Sequence, residues 1–303
     1  MLVTKAFEGK TMRLYNVAGR AVLETDGVTF DVEQASGGAF GSDPQDLYDR
    51  WDELRLWAAE HLGGVQALTM SDNAAIGSPV PRPRQIFAIG INYASHVEES
   101  GLDTPTIPMV FAKFPSSIAG PYDCIALPQG AVDFEAELVV VIGARADQVP
   151  AHEAWRHVAG ITVGQDLSER YTQWAGSAPQ QMSLGKSFPG FSPIGPVVVT
   201  PDEFDDPDDI ELGCAVNGVP MQKGRTSDMI FSVPAIIKFL SGIVPLLPGD
   251  LIFTGTPSGV GFTRTPQVLL KAGDELTTYA ESIGEMRHMF TDRAGAPPLA
   301  GNP

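Results

Sequence analysis

Along the first sixty residues the spacing of apolar positions changes period once. Arg20-Ala-Val-Leu-Glu24 and Val28-Thr-Phe-Asp-Val32 are short strand patterns around Asp26-Gly27, a strong hairpin signal. Leu47, Trp51, Leu54, Ala58 and Leu62 then fall at helical spacing. Asp43-Pro44 supplies an N-cap and a first-turn proline, and Gly63-Gly64 supplies the stop. Gly77-Ser-Pro-Val-Pro-Arg-Pro-Arg84 breaks the periodicity, and its alternating prolines predict a stiff, extended link. Residues 1–77 are expected to form a small amino-terminal α/β unit, with residues 78–84 as linker.

From Gln85 onward strands dominate. Ile86-Phe-Ala-Ile89, Pro108-Met-Val-Phe-Ala-Lys113, Leu138-Val-Val-Val-Ile142, Ala159-Gly-Ile-Thr-Val-Gly164 and Val197-Val-Val199 all read as strands. Glu211-Leu-Gly-Cys-Ala-Val216 meets the turn Asn217-Gly218, and Leu251-Ile-Phe-Thr254 follows. Glu275-Leu-Thr-Thr-Tyr279 and Glu285-Met-Arg-His-Met-Phe290 flank Ile283-Gly284. Residues 150–157 and 233–240 read as helices. The chain is thus predicted to be α+β and predominantly β. Residues 85–291 form its main domain, and a Gly-, Pro- and Ala-rich tail covers 292–303.

Composition narrows the function classes. At 303 residues and 43% hydrophobic content the chain can bury a large core without disulfides. Its two cysteines, Cys124 and Cys214, fit a reduced compartment, the cytoplasm, as inert packing residues. A net charge of −17 argues against nucleic acid as partner, and no segment is long and apolar enough to suggest a membrane. The acidic run over residues 201–211 lacks the glycine and ligand spacing of an EF-hand and reads as a solvated loop. Three short motifs also fail on spacing. Gly185-Lys186-Ser187 lacks the first P-loop glycine. Residues 255–261 match neither a dinucleotide fingerprint nor a nucleophile elbow. His152 and His157 stand five apart, not four.

One pattern has two readings, acids at a solvent edge that are hydrated or paired with Lys and Arg, or acids gathered around a cation. In Val132-Asp-Phe-Glu-Ala-Glu-Leu-Val-Val-Val-Ile-Gly143 a core strand begins with Asp133, Glu135 and Glu137, all on one face at a period of two. Unpaired buried carboxylates need a cation or protons. Asp166 stands at the end of another apolar strand, where it can meet the pair, and all-oxygen ligation suits Mg²⁺ or Mn²⁺, with Ca²⁺ also admissible. His96 and Glu99, three apart, share a face on a helical turn, so the carboxylate can orient the imidazole as a general base.

These residues resemble the fumarylacetoacetate hydrolase family. Phe134-Glu-Ala-Glu-Leu-Val-Val-Val-Ile-Gly143 is similar to its Glu-x-Glu-Leu signature. Asn92-Tyr93 with His96 and Glu99, Lys113 with Ser116-Ser117, Gly185-Lys186-Ser-Phe188 with Pro193-Ile-Gly-Pro196, Asn217-Gly218, and residues 254–261 match its other blocks in order. The resemblance implies a mixed β-sandwich roll, usually a homodimer, and short members that act on acylpyruvates or isomerise 2-hydroxyhepta-2,4-diene-1,7-dioate. It assigns the metal to Glu135, Glu137 and Asp166, leaving Asp133 outside the ligands. His96 supported by Glu99 becomes the base and Lys186 a cationic stabiliser. Tyr93, Lys113, Ser117, Arg170, Gln173 and Thr256 become substrate contacts. Gln165 before Asp166 and Tyr171 after Arg170 depart from the family's frequent Asn and Asp.

The expected activity is metal-dependent hydrolysis of a C–C bond in a β-diketo acid, an acylpyruvate or fumarylpyruvate, through a pyruvate enolate. Oxaloacetate decarboxylation, dienedioate isomerisation and dienoate hydration share that enolate chemistry and stand as alternatives. A non-catalytic metal- or ketoacid-binding protein is the other class, against which His96, Glu99 and Lys186 speak together.

Overall fold

The computed structural model describes residues 11–61, 67–69, 75–176, 178 and 180–293. Its framework is a mixed sheet whose main path runs through nine strands. In spatial order these are Val28–Asp31, Arg20–Thr25, Arg13–Val17, Ser192–Val199, Val158–Gln165, Ala136–Ile142, Leu251–Phe253, Ile86–Gly90 and Met109–Ala112. A second sheet orders Val219–Arg225, Glu211–Val216, Glu275–Ala280, Gly284–Asp292 and Ile125–Leu127. Among the described residues no helix is long and apolar enough to cross a membrane. The fold is α+β and mostly β, as the apolar pattern predicts.

Ala136–Ile142 lies at the centre, and every residue in it is buried. Leu138, Val140 and Ile142 pack into one apolar cluster with Ile236, Ile237 and Leu240 of helix Val233–Ser241 and with Leu212 and Met286 of the second sheet. Val139 and Val141 face the opposite way, into a cluster holding Leu14, Leu23, Trp51 and Leu54 of the amino-terminal elements. With each buried aliphatic side chain contributing about 1.5–3 kcal/mol, this strand is a rigid base for the acids at its mouth. The amino-terminal strands continue the same sheet, because Arg13 and Leu14 pair with Val199 and Val198.

Both turns predicted from Asp-Gly and Asn-Gly form. Asp26 and Gly27 have φ of 51° and 74°, and Asn217 and Gly218 have 50° and 75°, the left-handed pairs that a two-residue hairpin requires. The Asp43 N-cap also forms, its carboxylate accepting from Gln45 N at 2.9 Å.

Several expectations are corrected. The single helix from Asp43 is two, Pro44–Tyr48 and Trp51–His61; the Gly63-Gly64 stop lies outside the described residues. Residues 150–157 wind as a 3₁₀ helix, Ala151–His157, since a short connector does not recover the nucleation term of an α-helix. Within the proline-rich segment Ser78 and Val80 are buried. The acidic run is tied down by Arg55 to Asp202, Arg13 to Glu203 and Arg225 to Asp209. Cys214 is buried, which pushes its thiol up to about 12, whereas Cys124 is exposed, with its Sγ 4.0 Å from Thr291 Oγ1.

Candidate active site

Antiparallel pairing places Glu137 opposite Gly164 and Ala136 opposite Gln165, so Asp166 emerges beside the acids at the mouth of the central strand. Gln165 fixes the crossing: its Oε1 accepts from Glu135 N at 2.8 Å and its Nε2 donates to Thr278 Oγ1 at 2.9 Å. One carboxylate oxygen from each of Glu135, Glu137 and Asp166 lies within 4.8 Å of the other two, and all three residues are buried.

Cations surround two of the three. Lys186 Nζ donates to Glu135 Oε2 and to Asp166 Oδ2, each at 2.6 Å. Arg170 Nη2 reaches Glu135 Oε1 at 2.7 Å, and Lys113 is ion-paired to Asp166. Among the described residues Glu137 has no ion pair; the Gly255 N–H donates to its Oε2 at 2.8 Å. Burial would raise Glu135, but Lys186, Arg170 and then His96 outweigh it and hold the carboxyl at about 2. Burial, then the Asp166 and Glu135 carboxylates, push Glu137 well above the usual carboxylate range. Burial opposes the charge of Lys186, yet Asp166 and Glu135 raise it overall, so the ammonium is retained.

This donor set fits a hard divalent cation. Three oxygen ligands converge without His or Cys, and one of them lacks the positive partner its burial requires.

The fourth carboxylate, Asp133, faces the same way and is used differently. Its Oδ2 accepts from Arg170 Nη2 at 2.6 Å and Nε at 3.0 Å, and its Oδ1 from Gly261 N at 2.7 Å. It therefore aims Arg170 at Glu135. Residues 255–261 form the glycine-rich stretch that matches neither a dinucleotide fingerprint nor a nucleophile elbow, and Phe262 follows it. They supply backbone N–H groups to three acids: Gly255 to Glu137, Gly259 to Glu99, and Gly261 with Phe262 to Asp133. A Cβ on Gly261 would stand 1.8 Å from Val268 O and 2.7 Å from Asp133 Oδ1. We expect Gly261→Ala to destabilise the chain by about 1–3 kcal/mol in denaturant unfolding, and an unchanged midpoint would contradict this packing.

Across the cavity, helix Ala94–Ser100 carries His96 and Glu99 on one face, with Nδ1 to Oε2 at 3.2 Å. Burial raises Glu99, but His96, Thr263 and the Gly259 N–H together lower it. An ionised Glu99 can only accept, so Nδ1 carries the proton and Nε2 is left to take one.

The cavity has a volume of about 480 Å³ and brings together His96, Glu135, Glu137, Asp166, Arg170, Gln173, Lys186 and Thr256. Three expected contacts stand elsewhere. Lys113 sits behind Asp166, donating to Lys186 O at 2.5 Å and Phe191 O at 3.1 Å, and burial lowers its pKa. Ser117 is fully buried against Phe114 O and Ser192 Oγ. The Tyr93 hydroxyl is buried outside the lining with no hydrogen-bond partner among the described residues. Thr256 lines the cavity, but its hydroxyl already serves Ala136 O and Gln222 Nε2, both at 2.8 Å. Sequence reasoning missed Thr263, Phe262 and Trp174 on the lining, which carry no local signal.

Residues 85–291 match the family model described as fumarylacetoacetate (FAA) hydrolase C-terminal. The chain belongs to the fumarylacetoacetate hydrolase family. Among solved structures of fumarylacetoacetate hydrolase type, a Mycobacterium smegmatis protein provisionally designated HpcE is 52% identical, with a TM-score of 0.87. That match covers 93% of this chain and 99% of the other. Maleylpyruvate hydrolase from Sphingobium sp. SYK-6, solved with manganese(II) and pyruvate, is 27% identical with a TM-score of 0.76, over 93% and 99% of the two chains. A curated Bos taurus relative, the mitochondrial oxaloacetate tautomerase FAHD2A, is 46% identical over 209 residues. The match takes in 68% of this chain and 66% of that protein, just under two thirds of its length.

Proposed function

We propose that the chain is a divalent-metal-dependent hydrolase that cleaves the C–C bond of an acylpyruvate-type β-diketo acid, with Mg²⁺ or Mn²⁺ held by Glu135, Glu137 and Asp166. The observation that carries this reading is the His96–Glu99 pair facing the acid cluster across one cavity. The cation, when bound, supplies Lewis acidity to the 2-oxo acid head of the substrate.

The chain's own groups do the rest. His96 Nε2 takes a proton from water, and the water oxygen bonds to the distal carbonyl carbon. The bond from that carbon to C3 breaks, its electron pair passing to the enolate of pyruvate. Lys186 and Arg170 are fixed cations beside that developing charge. The proton held on His96 returns to C3, giving pyruvate and the second carboxylic acid. Glu99 keeps the imidazole in the required tautomer throughout. The manganese–pyruvate complex of the Sphingobium hydrolase supports the same head-group chemistry.

A second reading is tautomerisation of oxaloacetate, favoured by the name of the bovine relative. It needs the same enolate and the same base, which moves a proton between C3 and the 2-oxo oxygen, but no C–C bond cleavage. Purified protein with Mg²⁺ or Mn²⁺ should release pyruvate from acetylpyruvate, and His96→Ala should slow this by roughly 10²–10⁴-fold, the usual share of a general base. Pyruvate release at the normal rate by His96→Ala would remove the base. Interconversion of enol and keto oxaloacetate without any acylpyruvate cleavage would replace the first reading by the second.

A further inference from the structure

The wall of the cavity beyond the acids identifies the other end of the substrate, on the reading that the acid cluster takes a 2-oxo acid head. The ionisable side chains on the lining gather at one place. Lys186 joins Glu135 to Asp166, Arg170 holds Glu135, and His96 acts electrostatically on that same carboxylate. The rest of the lining is dominated by Leu102, Met109, Phe111, Trp174, Met182 and Phe262. Two of these are left half in solvent, Leu102 at 49% and Trp174 at 44% exposure. The volume, about 480 Å³, falls in the range of roughly 300–1,000 Å³ found for pockets that enclose drug-sized ligands. A pyruvyl head alone leaves most of it unfilled.

Apart from Gln180, which is exposed and carries no charge, the neutral polar side chains on this lining are already engaged. Ser100 donates to His96 O at 2.6 Å, Thr263 to Glu99 Oε1 at 2.5 Å and Thr256 to Ala136 O at 2.8 Å. Gln173 accepts from Arg170 at 2.9 Å, and its amide nitrogen faces Met182 Sδ at 3.1 Å. Arg170 is itself spent on Asp133 and Glu135. A second carboxylate placed against this wall finds no unpaired cation among the described residues, and a carboxylate desolvated without a partner is strongly disfavoured. An aromatic ring or branched alkyl group loses nothing there and covers Leu102 and Trp174 from water.

We infer that the substrate is a 2-oxo acid with one carboxylate, whose distal substituent is a bulky apolar group, aryl or branched alkyl. Cleavage of such an acylpyruvate yields pyruvate and an aromatic or branched-chain carboxylic acid. The reaction that supplies it must therefore leave a 2,4-dioxo acid on an apolar carbon skeleton.

The test compares benzoylpyruvate with fumarylpyruvate on the full chain loaded with Mn²⁺. The two share the β-diketo acid and differ in the charge of the tail. We expect kcat/KM for benzoylpyruvate to exceed that for fumarylpyruvate by about tenfold or more, the discrimination an unpaired group imposes. Leu102→Arg, a change at a half-exposed position, should raise fumarylpyruvate turnover and narrow that ratio by about tenfold. A preference of the unaltered protein for fumarylpyruvate overturns the inference and leaves the hydrolase reading standing. Calorimetric binding of 4-phenyl-2-oxobutanoate against 2-oxoglutarate separates the remaining cases, because neither has the bond to be cleaved. Preferential binding of the phenyl acid without any acylpyruvate turnover sustains the apolar tail and sinks the hydrolase reading. Equal or reversed binding sinks the tail.

Discussion

Glu137→Gln should raise the thermal midpoint of the metal-free chain and erase its stabilisation by Mn²⁺, while catalysis falls by about two orders of magnitude or more. The two signs oppose because one carboxylate has two roles. Glu135 and Asp166 are ion-paired to Lys186, Arg170 and Lys113, whereas among the described residues Glu137 has only the Gly255 N–H. Burial, Asp166 and Glu135 raise its pKa above the unfolded value. Its stability contribution is therefore fully present below the unfolded pKa and is lost as pH rises through the folded one. Gln removes that loss, and a gain of ~1 kcal/mol corresponds to about 2–4 °C in domains near this size. A divalent ion must displace the proton, so its affinity should weaken as pH falls through the raised pKa of Glu137. In the unaltered chain, Mn²⁺ at a hundred times its Kd adds about 2.7 kcal/mol, which the variant should lack. Glu135→Gln is the contrast, since it strips Lys186 and Arg170 of a partner and should destabilise the metal-free chain. Scanning calorimetry with and without Mn²⁺ decides the matter. A lower midpoint for metal-free Glu137→Gln, or a surviving metal shift, would defeat this account.

The parts of the site legible in the sequence are those written in local periodicity. Glu135 and Glu137 face one way because strand side chains alternate, and His96 meets Glu99 because helix residues three apart share a face. Asp166 was placed by the end of an apolar strand, and the pairing of that strand with Ala136–Ile142 completes the cluster. What could not be read depends on contacts between distant segments. Asp133 meets Gly261 across 128 positions, and Glu99 meets Gly259 across 160. The role of residues 255–262 could not be read from side-chain spacing because their working groups are backbone N–H donors, which every non-proline residue carries. Lys113 and Ser117 lie in matching blocks of sequence, yet both are buried off the cavity lining, Lys113 behind Asp166 and Ser117 in the 3₁₀ turn Pro115–Ser117. The 3₁₀ winding of Ala151–His157 shows the same limit, since its composition suits an α-helix and its short connecting role does not.

Asp133→Asn should cost the fold about 3–5 kcal/mol, the penalty for stranding one member of a buried ion pair. Asp133 is fully buried and accepts five hydrogen bonds. Two come from Arg170, two from Gly261 and Phe262, and one from Phe134 N. An amide keeps the shape but sets an N–H₂ among these donors and leaves Arg170 leaning on Glu135 alone. Damage should also reach the chemistry along two routes. Arg170 would lose its aim on Glu135, and the segment bearing Gly259 and Thr263 would lose its anchor beneath Glu99 and hence His96. Urea unfolding gives the stability term, and adding Arg170→Met to Asp133→Asn should recover part of it, because no stranded guanidinium remains. The isosteric swap thus separates charge from volume: a loss below about 1 kcal/mol would show that Asp133 fills space without holding Arg170. A double variant no more stable than Asp133→Asn would place the cost in the Gly261 and Phe262 N–H groups instead.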